Sequence, residues 1–282
     1  MLAVVGRLPL RWGQALGRAL GSAAFRLAPA ERRKALASLA VAFPELSDAA
    51  RLDLARRCFR HLGTVALEMA IAPRLGKDAL AQLVDVSGEA RARLEEAHAR
   101  GKGVVCVSAH LGNWELHARA VASLGLPVSA VGKENVDPRL TRLVDRFRAG
   151  GGMRNVWRGQ PGAAVALLRA LRRGELLAIL IDQDTRVQNV FVPFFGRPAA
   201  TPRAAADLVL RTGAAGLVTL VHRGEDGRYH ATSEEVEVPH TGDPERDAVE
   251  LTSRFTERIE AAIRAYPEQW VWMHQRWKTK AC

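Results

Sequence analysis

The sequence predicts an α/β protein with a mainly parallel central sheet flanked by helices and a helical N-terminal region. Short apolar runs at residues 104–107, 127–131 and 176–181 alternate with segments of helical periodicity. That alternation builds parallel strands through crossover helices. The runs are apolar almost throughout, as strands covered on both faces are. The first hundred residues instead divide into helical segments, so residues 1–100 are expected to form a helical region and residues 101–282 an α/β core.

Residues 1–28 carry an amphipathic pattern. Trp12, Leu16, Ala19, Leu20, Ala23 and Leu27 fall on one helical stripe, with Arg7, Arg11 and Arg18 off it. Two readings stand level: a helix lying on an anionic bilayer, or a helix docked on the protein's own core. The arginines exclude a secretory signal here, and no uncharged apolar run reaches the ~18 residues of a membrane span. Residues 30–43 read as helical up to Phe43-Pro44, because proline disfavours helix at the residue before it. Ser47-Asp48 caps a long helix to about Ile71, which Pro73 ends. Residues 78–84 and 87–100 read as two further helices. Gly101-Lys102-Gly103 then turns into the central strand.

Beyond that strand and its helix, residues 127–131 read as a second strand, 135–138 as a turn and 138–149 as a helix ended by three glycines. Residues 161–172 read as a helix capped by Gly174, and 176–181 as a third strand ending in Asp182-Gln183-Asp184. Residues 191–196, Phe-Val-Pro-Phe-Phe-Gly, form an apolar loop or strand end, lining a hydrocarbon pocket or filling ordinary core. Thr201-Pro202 reads as a helix start, with the helix running to Arg211. Residues 216–222 and 228–238 read as paired strands, and 243–265 as a long helix. The tail from Tyr266 holds three of the six tryptophans; they suit a lipid or base surface, or pack the last helix on the sheet, the expected role of Trp270.

The 282 residues are 25% charged and 48% hydrophobic, a globular composition. The formal net charge of +11 favours anionic partners: membrane surfaces, phosphorylated substrates, acidic proteins or nucleic acid. Cys58, Cys106 and Cys282 have no paired spacing, which points to a reducing compartment and no metal site. Asp182-x-Asp184 implies no third metal ligand nearby.

The chemistry concentrates in residues 104–115, VVCVSAHLGNWE. His110 follows the carboxyl end of a strand, Gly112 frees the turn, Asn113 is a good N-cap, and Glu115 sits in the first helical turn. Open α/β sheets bind their ligands at this edge. Five residues apart on one helix, His110 and Glu115 would stand about 140° apart; with the histidine in the preceding turn they can meet. A carboxylate on one imidazole nitrogen fixes the tautomer and makes the other a better base for an attacking alcohol. The spacing recurs at His230/Glu235 and His240/Glu245, so the strand-to-helix context carries the weight. The bland alternative is a histidine bonded to a helix terminus or a carbonyl. His274 is a weaker base candidate. Asp182 stands again at a strand's carboxyl end, reading as a contact to the base, the substrate or a nearby arginine, or as a loop cap.

Ser108-Ala109-His110-Leu111-Gly112-Asn113-Trp114-Glu115, Asp182-Gln183, residues 191–196 and Pro267–Lys278, with Phe43-Pro44-Glu45-Leu46-Ser47 near the start, resemble the late acyltransferases of bacterial lipid A synthesis. The resemblance runs nearly end to end, four motifs in order. It implies a glycerolipid-acyltransferase-like fold and transfer of an acyl chain from an acyl-carrier-protein or CoA thioester to a hydroxyl of a phosphorylated glycolipid, on the cytoplasmic face of the inner membrane. The thioester is a co-substrate; no cofactor and no nucleic-acid partner are implied. By motif position His110 matches the general base and Glu115 its partner. Arg148, after the Asn135-x2-Pro138 turn and helix, matches a phosphate contact. Asp182 matches an acidic residue the family needs, and Asn113 joins Arg148 and Asp182 in the expected substrate-binding set. Two departures stand out: arginines break the usual apolar N-terminal anchor, and Ser38 replaces a common asparagine. Relatives acylate mannosylated phosphatidylinositol or lysolipids. The rival classes are a non-catalytic basic membrane or nucleic-acid module, with steep salt dependence, and a thioester hydrolase using the same dyad.

Overall fold

The computed structural model describes residues 6–134 and 137–280; Asn135 and Cys282 lie outside them. Ten α-helices are present among the described residues: α1 (Leu10–Leu27), α2 (Pro29–Ala42), α3 (Asp48–Ile71), α4 (Lys77–Leu83), α5 (Gly88–Ala99), α6 (Trp114–Ser123), α7 (Pro138–Gly150), α8 (Ala163–Arg172), α9 (Ala204–Thr212) and α10 (Pro244–Ala265). The strands are β1 (Val84–Asp85), β2 (Val104–Ser108), β3 (Val128–Lys133), β4 (Arg154–Arg158), β5 (Leu176–Leu180), β6 (Asn189–Phe194), β7 (Arg197–Pro202), β8 (Ala215–Arg223) and β9 (Tyr229–Glu235).

Seven strands form one sheet in the order β1-β9-β8-β2-β5-β3-β4, and only the β8–β9 pairing is antiparallel. The expected α/β class with a helical N-terminal region is what the chain adopts. β2 is central and buried at every position. Val105 and Val107 face one core, with Phe255 and Trp270, and Val104 and Cys106 face the other, with Leu116 and Val128. Coverage of both faces makes its sequence a continuous apolar run.

Most predicted boundaries fall within a few residues. Ser47 accepts from the Ala50 N–H as N-cap of α3, and Asp243 caps α10 in the same way. One element is new, one expectation is corrected and one open alternative is decided. β4 was not foreseen: its sequence, Arg-Asn-Val-Trp-Arg, is polar because it is the sheet's edge strand. Thr201-Pro202 does not start a helix; it closes β7, whose antiparallel hairpin with β6 is a separate two-stranded sheet, and α9 begins at Ala204. Residues 191–196 build that hairpin and its turn at Phe195-Gly196, where both φ angles are positive. Phe194 and Phe195 are buried against Phe43, Trp270 and Trp272, so ordinary core is their role.

The amphipathic N-terminal stripe faces outward. Helix α1 docks through Gly13, Gly17, Gly21 and Phe25, which are buried. A Cβ on Gly17 would reach 2.5 Å from the Gly63 carbonyl oxygen, so α1 and α3 touch backbone to backbone. Glycine removes the side chains that would hold them apart. The larger residues are thereby left outside, Trp12 61%, Leu20 50% and Leu27 81% exposed. Among the described residues no helix is long and apolar enough to cross a membrane.

Candidate active site

The site forms at the carboxyl ends of β2 and β5. These strands pair in parallel, with Ser108 opposite Leu180 as the last rung. Two residues further on, His110 and Asp182 come side by side. The His110 ring Nδ1 lies 2.9 Å from Asp182 Oδ1, and the His110 backbone N–H donates to Asp182 Oδ2 at 2.8 Å. The Trp270 indole N–H donates to the same oxygen at 2.7 Å. An ionised carboxylate only accepts, so Nδ1 carries the proton and Nε2 is left as the basic nitrogen. Burial alone would raise the Asp182 pKa; the adjacent His110 charge and these hydrogen bonds outweigh it and hold the carboxyl below its usual value.

Gly112 takes the turn, with φ +59°, and its N–H donates to the Gln269 carbonyl. A Cβ there would run into the Val221 carbonyl oxygen. Asn113 caps α6 by accepting from the Leu116 N–H at 3.2 Å, and its amide donates to Glu68 at 3.1 Å. It is fully buried, so its position is that of a turn-former, not of a group open to substrate. Glu68 also accepts from Arg223, Tyr229 and Gln14, which ties α1 and α3 to the turn between His110 and Trp114.

Glu115 does not hold His110. Both its oxygens are taken by Arg148, whose Nε donates to Oε2 at 3.0 Å and Nη2 to Oε1 at 2.6 Å. Arg148 donates further to Asn155 Oδ1 at 3.0 Å and lies over the Trp157 ring. Both partners are buried. The expected dyad is therefore replaced by two pairs: His110 with Asp182, Glu115 with Arg148. The reason is topological. Glu115 is the second residue of α6 and meets α7, whereas the parallel rung delivers Asp182 to the imidazole. The open sequence reading of Asp182 as a contact to the base is the one the structure displays. Arg148, expected to meet a phosphate, has its guanidinium committed within the protein.

A cleft of about 500 Å³ opens beside His110, in the range of small-molecule sites. Trp114, Val144, Trp157, Leu167, Ile179 and Val187 give it apolar walls. Lys133, Arg158 and Gln183 also line it. Arg158 donates to Thr185 Oγ1 at 3.1 Å and has no carboxylate partner among the described residues. It lies on β4, the strand that sequence reasoning missed, and no local signal marked it. His274 stands behind the site: its Nε2 accepts the Asp184 N–H at 2.9 Å, and burial pushes its pKa down to about 4. Cys106 lies in β2, where burial raises its thiol to about 12, so it is no nucleophile.

The model of a family described as bacterial lipid A biosynthesis acyltransferase matches residues 1–279. The lipid A biosynthesis lauroyltransferase of Escherichia coli K12 is 27% identical, covering 99% of this chain and 90% of its own. The palmitoleoyltransferase of the same organism is 29% identical over 89% and 80%. A phosphatidylinositol mannoside acyltransferase of Mycobacterium tuberculosis is 26% identical over 65% and 57%.

Proposed function

The chain belongs to the bacterial lipid A biosynthesis acyltransferase family, and from that premise we propose that it moves a fatty acyl chain from an acyl-carrier-protein thioester to a hydroxyl of a phosphorylated, lipid A-type glycolipid. It is an acyltransferase, and acyl transfer to a glycolipid is the common ground of its relatives. The observation that carries the mechanism is the His110–Asp182 pair opening on a mainly apolar cleft of about 500 Å³.

His110 Nε2 takes the proton of the acceptor hydroxyl as its oxygen attacks the thioester carbonyl. Asp182 holds the ring and stabilises the imidazolium. The tetrahedral intermediate collapses, the C–S bond breaks, and the proton passes to the departing thiolate. No covalent acyl-enzyme is needed. Glu115 acts one step removed, by fixing Arg148 and the cleft wall that Arg148 shares with Trp157. Arg158 and Lys133 are the cations placed to meet acceptor phosphate. The enzyme works at the cytoplasmic face of the inner membrane, which it contacts through the outward stripe of α1.

The test is turnover by purified protein with acyl-carrier-protein thioester, with and without the lipid A precursor and a mannosylated phosphatidylinositol. Wild type should transfer only in the presence of an acceptor. His110→Ala should lose about 10²–10⁴-fold in turnover and keep its unfolding temperature. A His110→Ala enzyme of near-normal rate, or fatty acid released without acceptor, would defeat the reading.

A further inference from the structure

Three buried polar side chains meet in a channel beneath α6, and the acyl-transfer chemistry uses none of them. They are Ser108 at the end of β2, Thr219 in β8 and His117 in α6, the last with 4% of its surface exposed. Val107 pairs with Val218 on parallel strands, so Ser108 and Thr219 follow side by side. Side chains two apart on a strand share a face. Ser108 therefore lies on the face of Cys106 and Thr219 on that of Leu217, the face that α6 covers with Leu116. All three residues line the same channel.

Their polar groups are unmet by the protein. The His117 ring Nε2 is buried without a hydrogen-bond partner. Among the described residues neither the Ser108 nor the Thr219 hydroxyl is bonded to another group. A neutral imidazole carries one donor and one acceptor, and a hydroxyl is both. Leaving such groups unpaired in an apolar interior is costly. Burial pushes the His117 pKa down to about 4, so the ring is neutral near pH 7. A neutral ring and two hydroxyls suit an uncharged polar group, not a phosphate or a carboxylate. Glu115 and Arg148 also line the channel, but each is spent on the other. The remaining wall is apolar, with Leu94, Val121, Val128 and Leu176. The chemistry that fits is a hydrocarbon bearing a hydroxyl.

The channel adjoins the catalytic cleft, since Trp114, Glu115, Arg148 and Leu180 are walls of both. At about 40 Å³ it admits part of a single alkyl chain and no sugar ring. Its polar groups stand at the cleft end. Ser108 precedes His110 by two residues, roughly 7 Å at the rise of a strand, while Leu176 and Val128 lie toward the far end. A hydroxyl held there is close to the reacting carbonyl. We propose that the enzyme selects a hydroxylated acyl donor, of the 3-hydroxyacyl kind, whose hydroxyl is received by Ser108, His117 and Thr219. The inference rests on the acyl-transfer reading above and adds to it the kind of chain transferred.

The experiment compares 3-hydroxydodecanoyl and dodecanoyl acyl carrier protein as donors to one acceptor, and measures binding of the two free acids by titration calorimetry. Wild type should favour the hydroxylated donor about ten- to hundredfold in kcat/KM, and bind its acid more tightly by a like factor. A donor hydroxylated at the far end of the chain should gain nothing over dodecanoyl. His117→Leu and Thr219→Val each remove a polar group at similar volume. Both should bring the two ratios to within about threefold of one and keep the unfolding temperature. The ratio is the readout because a general defect in the fold slows both donors alike. Equal use of the two donors by wild type overturns the proposal and leaves the three groups to bound water. A preference that persists in both variants overturns it too, as does a His117→Leu enzyme altered only in its KM for the acceptor. Selective binding of the hydroxy acid with no transfer to any acceptor supports the site and defeats the acyl-transfer reading.

Discussion

Two buried carboxylates stand on either side of one strand-to-helix turn, and their partners differ. Asp182 is met by neutral donors and one imidazole: the His110 ring, the His110 N–H and the Trp270 indole. Glu115 is met by a permanently charged guanidinium. The first arrangement leaves one imidazole nitrogen outside the pair, on a side chain that lines the cleft. The second pairs two opposite charges within the protein. Depth does not separate them, since the two side chains are 1% and 8% exposed. What separates them is whether the partner's proton can move.

The sharpest break in that comparison comes from Asp182→Asn. Three donors converge on this carboxylate, and an amide must turn its own NH₂ toward one of them. The imidazole is then no longer held with its proton on Nδ1. Turnover should fall about 10³–10⁴-fold, the scale seen when the orienting acid of a histidine base is neutralised. Circular dichroism should report an intact fold. A loss below about tenfold would show that Asp182 is a turn-former and no more.

Glu115 should show the opposite balance. Glu115→Gln leaves a buried guanidinium without its counter-charge, which costs about 3–5 kcal/mol of stability. Replacing both partners, Glu115→Gln with Arg148→Met, should recover most of that loss, because the uncompensated charge goes with it. Denaturant unfolding of the two singles and the double measures the coupling. In the folded double variant turnover should stay within about tenfold of wild type. A double variant as inactive as Asp182→Asn would return Glu115 to the role its spacing suggested.

The fold was legible where the signal is local. The buried run of β2, the Ser47 and Asp243 caps and the Phe43-Pro44 break each declare themselves within a few residues. The site was legible in its members and not in its pairings. His110, Glu115, Arg148 and Asp182 could all be named, yet the register of β2 on β5 decides which acid reaches the ring, and it spans 72 residues. Arg158 was missed with β4, because an edge strand needs no apolar run. The α1 stripe misleads in a different way. Its periodicity reads as amphipathic, but glycines took the docking face, so the apolar side is the free one.

Acid should expose the histidines before the carboxylates. Burial lowers His274 and His117 to about 4 each, against about 6.5 in an unfolded chain. A group with a depressed folded pKa binds its proton more readily when unfolded, so stability is full above about pH 6.5 and declines as pH falls toward 4. The Asp182 contribution persists through that window and is lost only below its ordinary pKa, because its folded value is lower still. Thermal unfolding should therefore drop by several degrees between pH 6.5 and 4, at about 2–4 °C per kcal/mol. His274→Gln should flatten the drop. An unchanged slope in that variant would mean that His274 takes up its proton without opening the site.

The smallest expected effect separates the two arginines of the cleft. Arg148 spends its donors on Glu115 and Asn155, while Arg158 spends one on the Thr185 hydroxyl and meets no carboxylate among the described residues. A phosphate entering the cleft must displace Glu115 to reach the first and nothing charged to reach the second. Arg158→Gln should raise KM for a phosphorylated acceptor about tenfold, with kcat within about twofold, and leave an unphosphorylated analogue unaffected. That split marks a contact made equally in ground and transition states. Equal losses on both acceptors would show that Arg158 serves the cleft wall through Thr185, and that phosphate recognition lies with Lys133 instead.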